Sequence, residues 1–281
     1  MHVYPFTLLI AIELVALGFA VGTLGTLVGS GGGFILTPVL LIAYPRAKPD
    51  LITAISLVVV FFNALSGSFA YRRQRRIDYR SGLQFAAAAL PGSVAGALVV
   101  GLVPTRPFDA IIAVVLAALA VLVLRGGTGE LRARTLATAT ARSITDAEGV
   151  TYEYAVPVRR GILYSVGVGF ASSFLGIGGG VIHVPLMVTQ LGFPVHIATA
   201  TSHFVLTFMA FTGSITHVIS GTFAGGIGLR RAAALSVGVI AGAQVGAKLS
   251  RRFSGALIRR VLGVALLGIA LRVAMLAVLA P

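Results

Sequence analysis

The sequence predicts an all-α membrane protein made of two repeats of about five helices each, inserted in opposite orientations. Three observations lead to this fold class: a composition poor in charge, long uncharged segments and an internal repeat. Of the 281 residues, 57% are hydrophobic and only 11% are charged, whereas soluble domains carry about 25% charged residues. Because so few charges cannot cover a soluble particle of this size, the composition excludes a soluble enzyme, a disordered chain and a coiled coil.

The net charge of +14 has a topological interpretation. Basic residues cluster at the ends of apolar runs, where membrane topology places them, so we expect a lipid bilayer and not a nucleic acid as the partner. The chain has no cysteine, which excludes disulfides and thiolate metal sites, and we predict no metal site, cofactor or catalytic residue. The first apolar stretch is longer than that of a signal peptide, and no Lys or Arg precedes it. We therefore expect that it is not cleaved as a signal peptide.

Uncharged runs define the predicted helices. Residues 161–229, for example, contain no Asp, Glu, Lys or Arg, and about 20 helical residues cross a bilayer. Helices 34–44 and 181–192 are about half that length and directly follow glycine clusters, so both are candidate half-helices. The complete predicted set is 5–28, 34–44, 50–71, 82–104, 107–125, 157–175, 181–192, 195–220, 229–249 and 255–280.

A polar segment divides the chain. Residues 126–156 are rich in Gly, Thr, Ala and charge, which is typical of a solvent-exposed linker with at most a short helix or hairpin. We therefore expect a first transmembrane repeat at 1–125, a cytoplasmic linker at 126–156 and a second transmembrane repeat at 157–281.

The two halves share six features in the same order, which indicates an internal repeat. Each half has four glycines within five residues, a proline five residues later, a Thr-Ala-x-Ser element and three further glycines. The corresponding features are Gly29–Gly33 and Gly176–Gly180, Pro38 and Pro185, Thr53–Ser56 and Thr199–Ser202, Gly67 and Gly213, Gly92 and Gly238, and Gly96 and Gly242.

The arginines predict how the repeats are inserted. Five of them lie between the third and fourth helices, namely Arg72, Arg73, Arg75, Arg76 and Arg80. The positive-inside rule makes that loop cytoplasmic. The equivalent loop of the second half, 221–228, has no charge, so the basic residues lie at the opposite end of the second repeat. This predicts inverted repeats, with both termini on the extracytoplasmic side. Six of the 22 basic residues fall on the outer side: Arg46, Lys48, Arg106, Arg230, Arg231 and Arg272.

The doubled G-x-GGG-x(4)-P motif, each copy followed by a T-A-x-S element, resembles the sulfite exporter TauE/SafE family of membrane transporters. The resemblance covers both halves and leaves out the linker. It implies a multi-pass carrier of the cell inner membrane that exports small sulfur-containing anions such as sulfite or organosulfonates, and it implies no enzymatic activity. The two copies differ, since Ser30 in the first motif stands where the second has Ile177.

The glycine clusters are the predicted substrate site. Glycine lets the backbone leave the helix and approach a ligand, and a helix that begins inside the membrane leaves its first N–H groups unpaired. An oxyanion satisfies these groups and is favoured by the helix dipole. The alternative is close helix packing, the role we assign to the GxxxG-type spacings Gly18–Gly22, Gly25–Gly29, Gly92–Gly96 and Gly238–Gly242–Gly246. The substrate-binding glycines of this hypothesis are Gly29, Gly31, Gly32, Gly33, Gly176, Gly178, Gly179 and Gly180.

Four hydroxyl groups accompany the glycine clusters. Thr53 and Ser56 lie on one face at the start of the third helix, and Thr199 and Ser202 lie likewise on the eighth. Their hydroxyls either donate to the anion or bond to their own helix backbone.

Three ionisable residues are candidates for ion coupling. His183 and His203 either donate to the anion or carry a coupling proton. The alternative is that they are neutral rings bonded to a neighbouring carbonyl. Glu13, the one acid within an apolar run, is the third proton-coupling candidate, with an interfacial position as the alternative. A proton or a sodium ion is the expected coupling ion, and the sequence defines no oligomeric state.

These features favour a secondary transporter that works by alternating access. Rocking of the repeats exposes one site near the membrane midplane to each side in turn. An anion channel with re-entrant glycine loops is the main alternative, and an intramembrane enzyme and a scaffold subunit are the others. Ser202 and His203 are adjacent in sequence and diverge on a helix, which argues against a nucleophile–base pair.

Overall fold

The computed structural model describes residues 6–44, 47–125, 139–224 and 226–253, with individual residues between 257 and 271. The helices are α1 (Leu8–Val28), α2 (Gly33–Ala43), α3 (Pro49–Arg73), α4 (Tyr79–Val99), α5 (Thr105–Arg125), α6 (Val158–Leu175), α7 (Gly180–Thr189), α8 (Val195–Ile219) and α9 (Ile227–Leu249). A 3₁₀ turn, Val100–Leu102, extends α4, and strands β1 (Thr140–Thr145) and β2 (Thr151–Val156) lie between α5 and α6.

The predicted all-α membrane fold is confirmed. In the described part of the chain, five helices are long and apolar enough to cross a membrane, namely α1, α3, α4 with its 3₁₀ turn, α8 and α9. The two short helices occur where the glycine clusters predict them, since α2 has 11 residues and α7 has 10. The helix predicted at 255–280 lies mostly outside the described residues.

Local sequence explains where the helices begin and end. Gly29 and Gly176 end α1 and α6 in the left-handed region, at φ of +81° and +64°, which glycine adopts without the steric cost of a side chain. Pro49 is the first residue of α3, where its missing N–H is no loss. The carboxylate of Asp78 caps α4 by accepting the Ser81 N–H at 3.0 Å, as helix N-caps commonly do.

Two helix pairs connect the repeats. α1 lies along α9, and α4 lies along α6. A Cβ atom added to Gly238 would lie 2.0 Å from the Val15 carbonyl oxygen, and one added to Gly92 would lie 2.1 Å from that of Val166. The packing role predicted for these glycines is therefore confirmed. Since α1 corresponds to α6 and α4 to α9, the two pairs are equivalent under exchange of the repeats, whereas their membrane orientation stays a prediction.

The centre of the molecule is formed by α3 and α8. These two helices pack against each other, α3 also packs against α9, and α8 also packs against α4 and α7. Both carry a Thr-Ala-x-Ser element near the N-terminus. The repeat thus places two equivalent hydroxyl pairs in the middle of the protein.

The segment between the repeats contains a β-hairpin that packs on the helices. Strands β1 and β2 are antiparallel, with Thr140 opposite Val156. The side chains of Tyr154 and Val156 are buried in one hydrophobic cluster with Phe85 and Phe193. The segment thus contains a hairpin, which the sequence analysis allowed, and one apolar face of β2 is buried against the helices. The cytoplasmic position of the linker stays a prediction. Positions 126–138 of the predicted linker lie outside the described residues.

Ion pairs fasten the hairpin to both repeats. The Arg76 guanidinium donates to Asp146 Oδ2 at 2.9 Å and to Glu148 Oε2 at 2.9 Å, and Glu148 also contacts Arg251. Burial alone raises the pKa of Asp146, but hydrogen bonds from Arg76 and from backbone N–H groups hold this pKa below 3.8. Arg76 follows α3 of the first repeat and Arg251 follows α9 of the second, so the hairpin bridges the repeats at one end of the bundle.

The low pKa of Asp146 predicts how acid affects the hairpin. A carboxylate with a lowered folded-state pKa stabilises the fold above its unfolded-state pKa and ceases to do so as the pH falls through the folded-state value. We expect purified wild type to exceed Asp146→Asn in Tm by a constant amount between about pH 5 and 8, and the difference to shrink below about pH 3.8. A difference that is constant down to about pH 2 would contradict this assignment.

Candidate functional site

Two breaks interrupt the helical backbone at the glycine clusters. In the first break, residues 29–33, Gly31 and Gly32 have φ of +77° and +80°. In the second break, residues 176–180, Gly178 has φ of +72°. Residues with a side chain rarely adopt a positive φ, so the backbone conformation requires glycine at these three positions. Gly33, Gly179 and Gly180 do not have a positive φ.

The two breaks are in direct contact. A Cβ atom added to Gly33 would lie 2.5 Å from the carbonyl carbon of Ile177, and one added to Gly180 would lie 2.3 Å from the carbonyl oxygen of Gly29. Every residue of both breaks is buried. The N-termini of α2 and α7 therefore meet in the interior, where the repeats join, and the glycines are needed for this close approach.

Several backbone amides at these helix starts have no hydrogen-bond acceptor among the residues that the structure covers. In the first break, the N–H groups of Gly32, Gly33 and Phe34 have no acceptor among the described residues. In the second break, Gly179 donates to the Ser172 hydroxyl at 2.7 Å. The N–H groups of Ile177, Gly178 and Gly180 have no acceptor in the described ranges. Buried unpaired N–H groups are costly, and an anion is the ligand they favour.

The hydroxyl pairs each lie against the break of the other repeat. A Cβ atom added to Gly29 would lie 2.7 Å from Thr199 Cγ2, and one added to Gly176 would lie 2.8 Å from Thr53 Cα. The structure therefore brings the predicted Thr-Ala-x-Ser elements together with the glycine breaks. The contacts are reciprocal, as expected for equivalent positions in two repeats.

The two hydroxyl pairs differ in their hydrogen bonds. Ser56 Oγ donates to the Gly176 carbonyl oxygen at 2.6 Å, and Thr37 Oγ1 lies 2.7 Å from the same oxygen. The second repeat has Val184 where the first has Thr37. There, the hydroxyls of Thr199 and Ser202 are buried and have no partner among the described residues. Thr53 Oγ1 donates to the Asp50 carbonyl oxygen at 3.0 Å. Both hydroxyls of the first pair therefore donate to backbone carbonyls.

Both predicted histidines are buried near the breaks. His183 lies in the first turn of α7, with Nε2 3.4 Å from Ser165 Oγ. His203 Nε2 lies 3.2 Å from Thr26 Oγ1, which in turn donates to Asn63 Oδ1 at 2.8 Å. Because Thr26 donates its proton to Asn63, His203 acts as the donor to Thr26. This gives a hydrogen-bonded chain from α8 to α1 and α3.

Glu13 is not brought to this site. Its side chain is exposed on α1, and at 1.5 Å per residue it is about 24 Å along the helix axis from Gly29. The structure adds Thr26 and Thr37, which the sequence analysis did not select. Thr37 has a sequence signal, because it directly precedes Pro38 within the repeat and differs from its counterpart Val184.

Known proteins resemble this chain over most of its length. The family model described as sulfite exporter TauE/SafE matches residues 14–273. The protein named "Probable membrane transporter protein YunE" of Bacillus subtilis is 32% identical over 248 residues, covering 85% of this chain and 88% of the relative. A second, from Methanocaldococcus jannaschii and also named a probable membrane transporter protein, is 26% identical, covering 89% and 90%. No solved structure matches. The chain therefore belongs to the sulfite exporter TauE/SafE family, a family of membrane transporters and not of enzymes.

Proposed function

We propose that this protein is a secondary transporter that exports small sulfur-containing anions, such as sulfite or organosulfonates, across the cell inner membrane by alternating access. The observation that carries the proposal is the meeting of two buried helix N-termini where the repeats join, with several amides that have no acceptor in the described part of the chain. In this proposal the anion binds at these N-termini, near the membrane midplane.

The chemistry of the breaks supports an anionic substrate. The groups offered are backbone N–H groups and hydroxyls, which can donate, and the positive ends of two helix dipoles add to them. No acidic residue occurs within either break. A sulfite or sulfonate group has three oxygens on one sulfur and can accept from several such donors at once.

The difference between the hydroxyl pairs supports an asymmetric site. We assign anion binding to Thr199 and Ser202, which are free to donate. We assign Ser56 and Thr37 to the positioning of the second break, because they bond to the Gly176 carbonyl. The sequence analysis predicted that the hydroxyls of all four Thr and Ser residues bind the anion, and this proposal keeps only two of them.

The contact between the breaks favours a carrier over a channel. An anion can enter between Gly33 and Ile177 only if the two repeats move apart. Rocking of the repeats about this contact provides such a movement and exposes the site to one side at a time. A channel needs a continuous path, which this close packing does not support.

The buried histidines support coupling to a proton. His203 donates to Thr26 within a buried hydrogen-bonded chain, and imidazole is the side chain best suited to exchange a proton near neutral pH. We propose His203 as the proton carrier, with His183 as the second candidate and sodium as the alternative ion.

Uptake into proteoliposomes tests the function. Sulfite, sulfate, thiosulfate, sulfoacetate and taurine are offered with and without a pH gradient. We expect saturable uptake of sulfite or a sulfonate that a pH gradient accelerates. Absence of uptake for all five would contradict the proposed substrate class.

The proposed topology has its own test. The native chain lacks cysteine, so Arg80→Cys places a single thiol at an exposed position on the hairpin side. We expect a membrane-impermeant maleimide to label it only in inverted vesicles. Labelling from outside intact cells would contradict a cytoplasmic hairpin and extracytoplasmic termini.

The asymmetric site predicts different effects for two equivalent serines. Ser202→Ala removes a donor to an anion, and a hydrogen bond to a charged group is worth about 1.5–3 kcal/mol, so we expect KM for sulfite to rise at least about tenfold. Ser56→Ala is the matched control. It should lower the free energy of unfolding by about 1 kcal/mol and raise KM less than Ser202→Ala does, because Thr37 still bonds to the Gly176 carbonyl and holds the second break. A higher KM in Ser56→Ala with a normal KM in Ser202→Ala would reverse the assignment.

A further inference from the structure

Arg231, the fifth residue of α9, is a buried cation with no carboxylate partner among the residues that the structure describes. Its side chain is only 8% exposed, and its guanidinium carbon lies 4.1 Å from the centroid of the Tyr44 ring. Among the described residues, no carboxylate oxygen lies within 4.0 Å of its nitrogens. Its Nε atom is buried without a hydrogen-bond partner. A buried, unpaired charge is strongly destabilising, so a bound anion would stabilise Arg231.

The position of Arg231 relates it to the glycine breaks. Tyr44 caps the C-terminus of α2, whose N-terminus forms the first break. At 1.5 Å per residue, the 11 residues of α2 separate the two sites by about 16 Å. The hairpin lies at the other end of the bundle, because Gln74 beside it bonds to the Ala247 carbonyl near the C-terminus of α9. Arg231 therefore lies between the breaks and the end opposite the hairpin.

Comparison of the repeats shows that the fold does not require a cation here. Arg231 is seven residues before Gly238, and the equivalent residue seven before Gly92 is Phe85. Phe85 is fully buried and packs edge-on against His183. A cation near the C-terminus of α2 also interacts favourably with its dipole, but the Arg231 side chain makes no hydrogen bond to those carbonyls in the described structure.

We propose that Arg231 and Tyr44 form a second anion-binding subsite, which holds a small sulfonate or sulfite between the glycine breaks and the end opposite the hairpin. A guanidinium can donate two parallel hydrogen bonds to two oxygens of one such group. Stacking on Tyr44 fixes the plane of the guanidinium before the anion arrives. The role of this subsite in transport rests on the proposed function, whereas binding of the anion to it does not.

Transport and chemical labelling test the subsite separately. Arg231→Gln in proteoliposomes should raise KM for sulfite about tenfold, with kcat within about twofold of wild type. Arg230→Gln is the control, because Arg230 is adjacent and exposed, and its KM should equal that of wild type. If Arg231→Gln does not fold, Arg231→Lys should give an intermediate KM, since it keeps the charge and loses the bidentate geometry.

Chemical labelling measures whether an anion occupies the subsite, and it does not depend on transport. The arginine reagent phenylglyoxal is applied to purified wild type with and without methanesulfonate, and labelled peptides are identified by mass spectrometry. We expect methanesulfonate to slow labelling of Arg231 and not of Arg230. Equal labelling rates at Arg231, or a wild-type KM in Arg231→Gln, would overturn the subsite. If wild type transports no sulfite or sulfonate, the proposed function fails and labelling alone decides the subsite.

Discussion

Replacing Gly180 by Val is expected to lower sulfite uptake about tenfold while the protein still inserts and folds. The added Cβ atom would lie 2.3 Å from the Gly29 carbonyl oxygen and 2.7 Å from Ser30 Cα. Both are backbone atoms of the other repeat, so a rotamer change cannot relieve the clash. Overpacking of this kind costs about 1–3 kcal/mol, and about 1.4 kcal/mol already corresponds to a tenfold change in rate. The breaks would therefore be unable to close on each other.

Gly167→Val is the matched control for this change. Gly167 is also a helical glycine of the second repeat, but it is exposed and a Cβ atom there has no neighbour within 4 Å. Initial rates of sulfite uptake at equal protein density should be close to wild type for Gly167→Val. Normal uptake by Gly180→Val would mean that contact between the breaks is not part of the transport cycle.

Arg76→Ala should lower the free energy of unfolding by about 3 kcal/mol, the lower end of the range for breaking a buried ion pair. Asp146 would lose both guanidinium bonds, at 2.9 and 3.2 Å, while its side chain remains buried. The lower end applies because Asp146 keeps hydrogen bonds from the backbone N–H groups of Glu148 and Val150. Chemical denaturation of the detergent-solubilised protein measures the loss.

Arg73→Ala removes the same charge three residues earlier, at the C-terminus of α3, and serves as the control. Arg73 is exposed, and exposed charges contribute little, so its stability should be within about 0.5 kcal/mol of wild type. Equal free energies of unfolding for Arg76→Ala and Arg73→Ala would show that the ion pairs of Arg76 do not stabilise the hairpin. A selective effect would support a hairpin that bridges both repeats at this end of the bundle.

Features that local sequence determines could be predicted. Glycines end α1 and α6 because the left-handed conformation at Gly29 and Gly176 suits no other residue as well. The half-helices follow from their length and from the glycines that precede them. The repeat then indicates that both breaks and both hydroxyl pairs occupy equivalent positions, which the reciprocal contacts agree with.

Features that depend on tertiary contacts could not be predicted. The two Thr-Ala-x-Ser elements look alike, yet Ser56 is bonded to a carbonyl and Ser202 is not, because the partners lie on other helices. The packing of the hairpin against the helices could not be predicted for a similar reason. Its polar composition indicates a linker, and only the alternation in β2 places Tyr154 and Val156 on one buried face.

The position of a bound sulfonate tests the central proposal most directly. Crystals grown with 2-bromoethanesulfonate would reveal the ligand by the anomalous scattering of bromine. We expect its sulfonate group beside the amides of Gly32, Gly33 and Phe34, next to Thr199 and Ser202, with the two breaks moved apart. A transported sulfonate bound elsewhere, with Gly33 still packed on Ile177, would contradict a site made of the two helix N-termini.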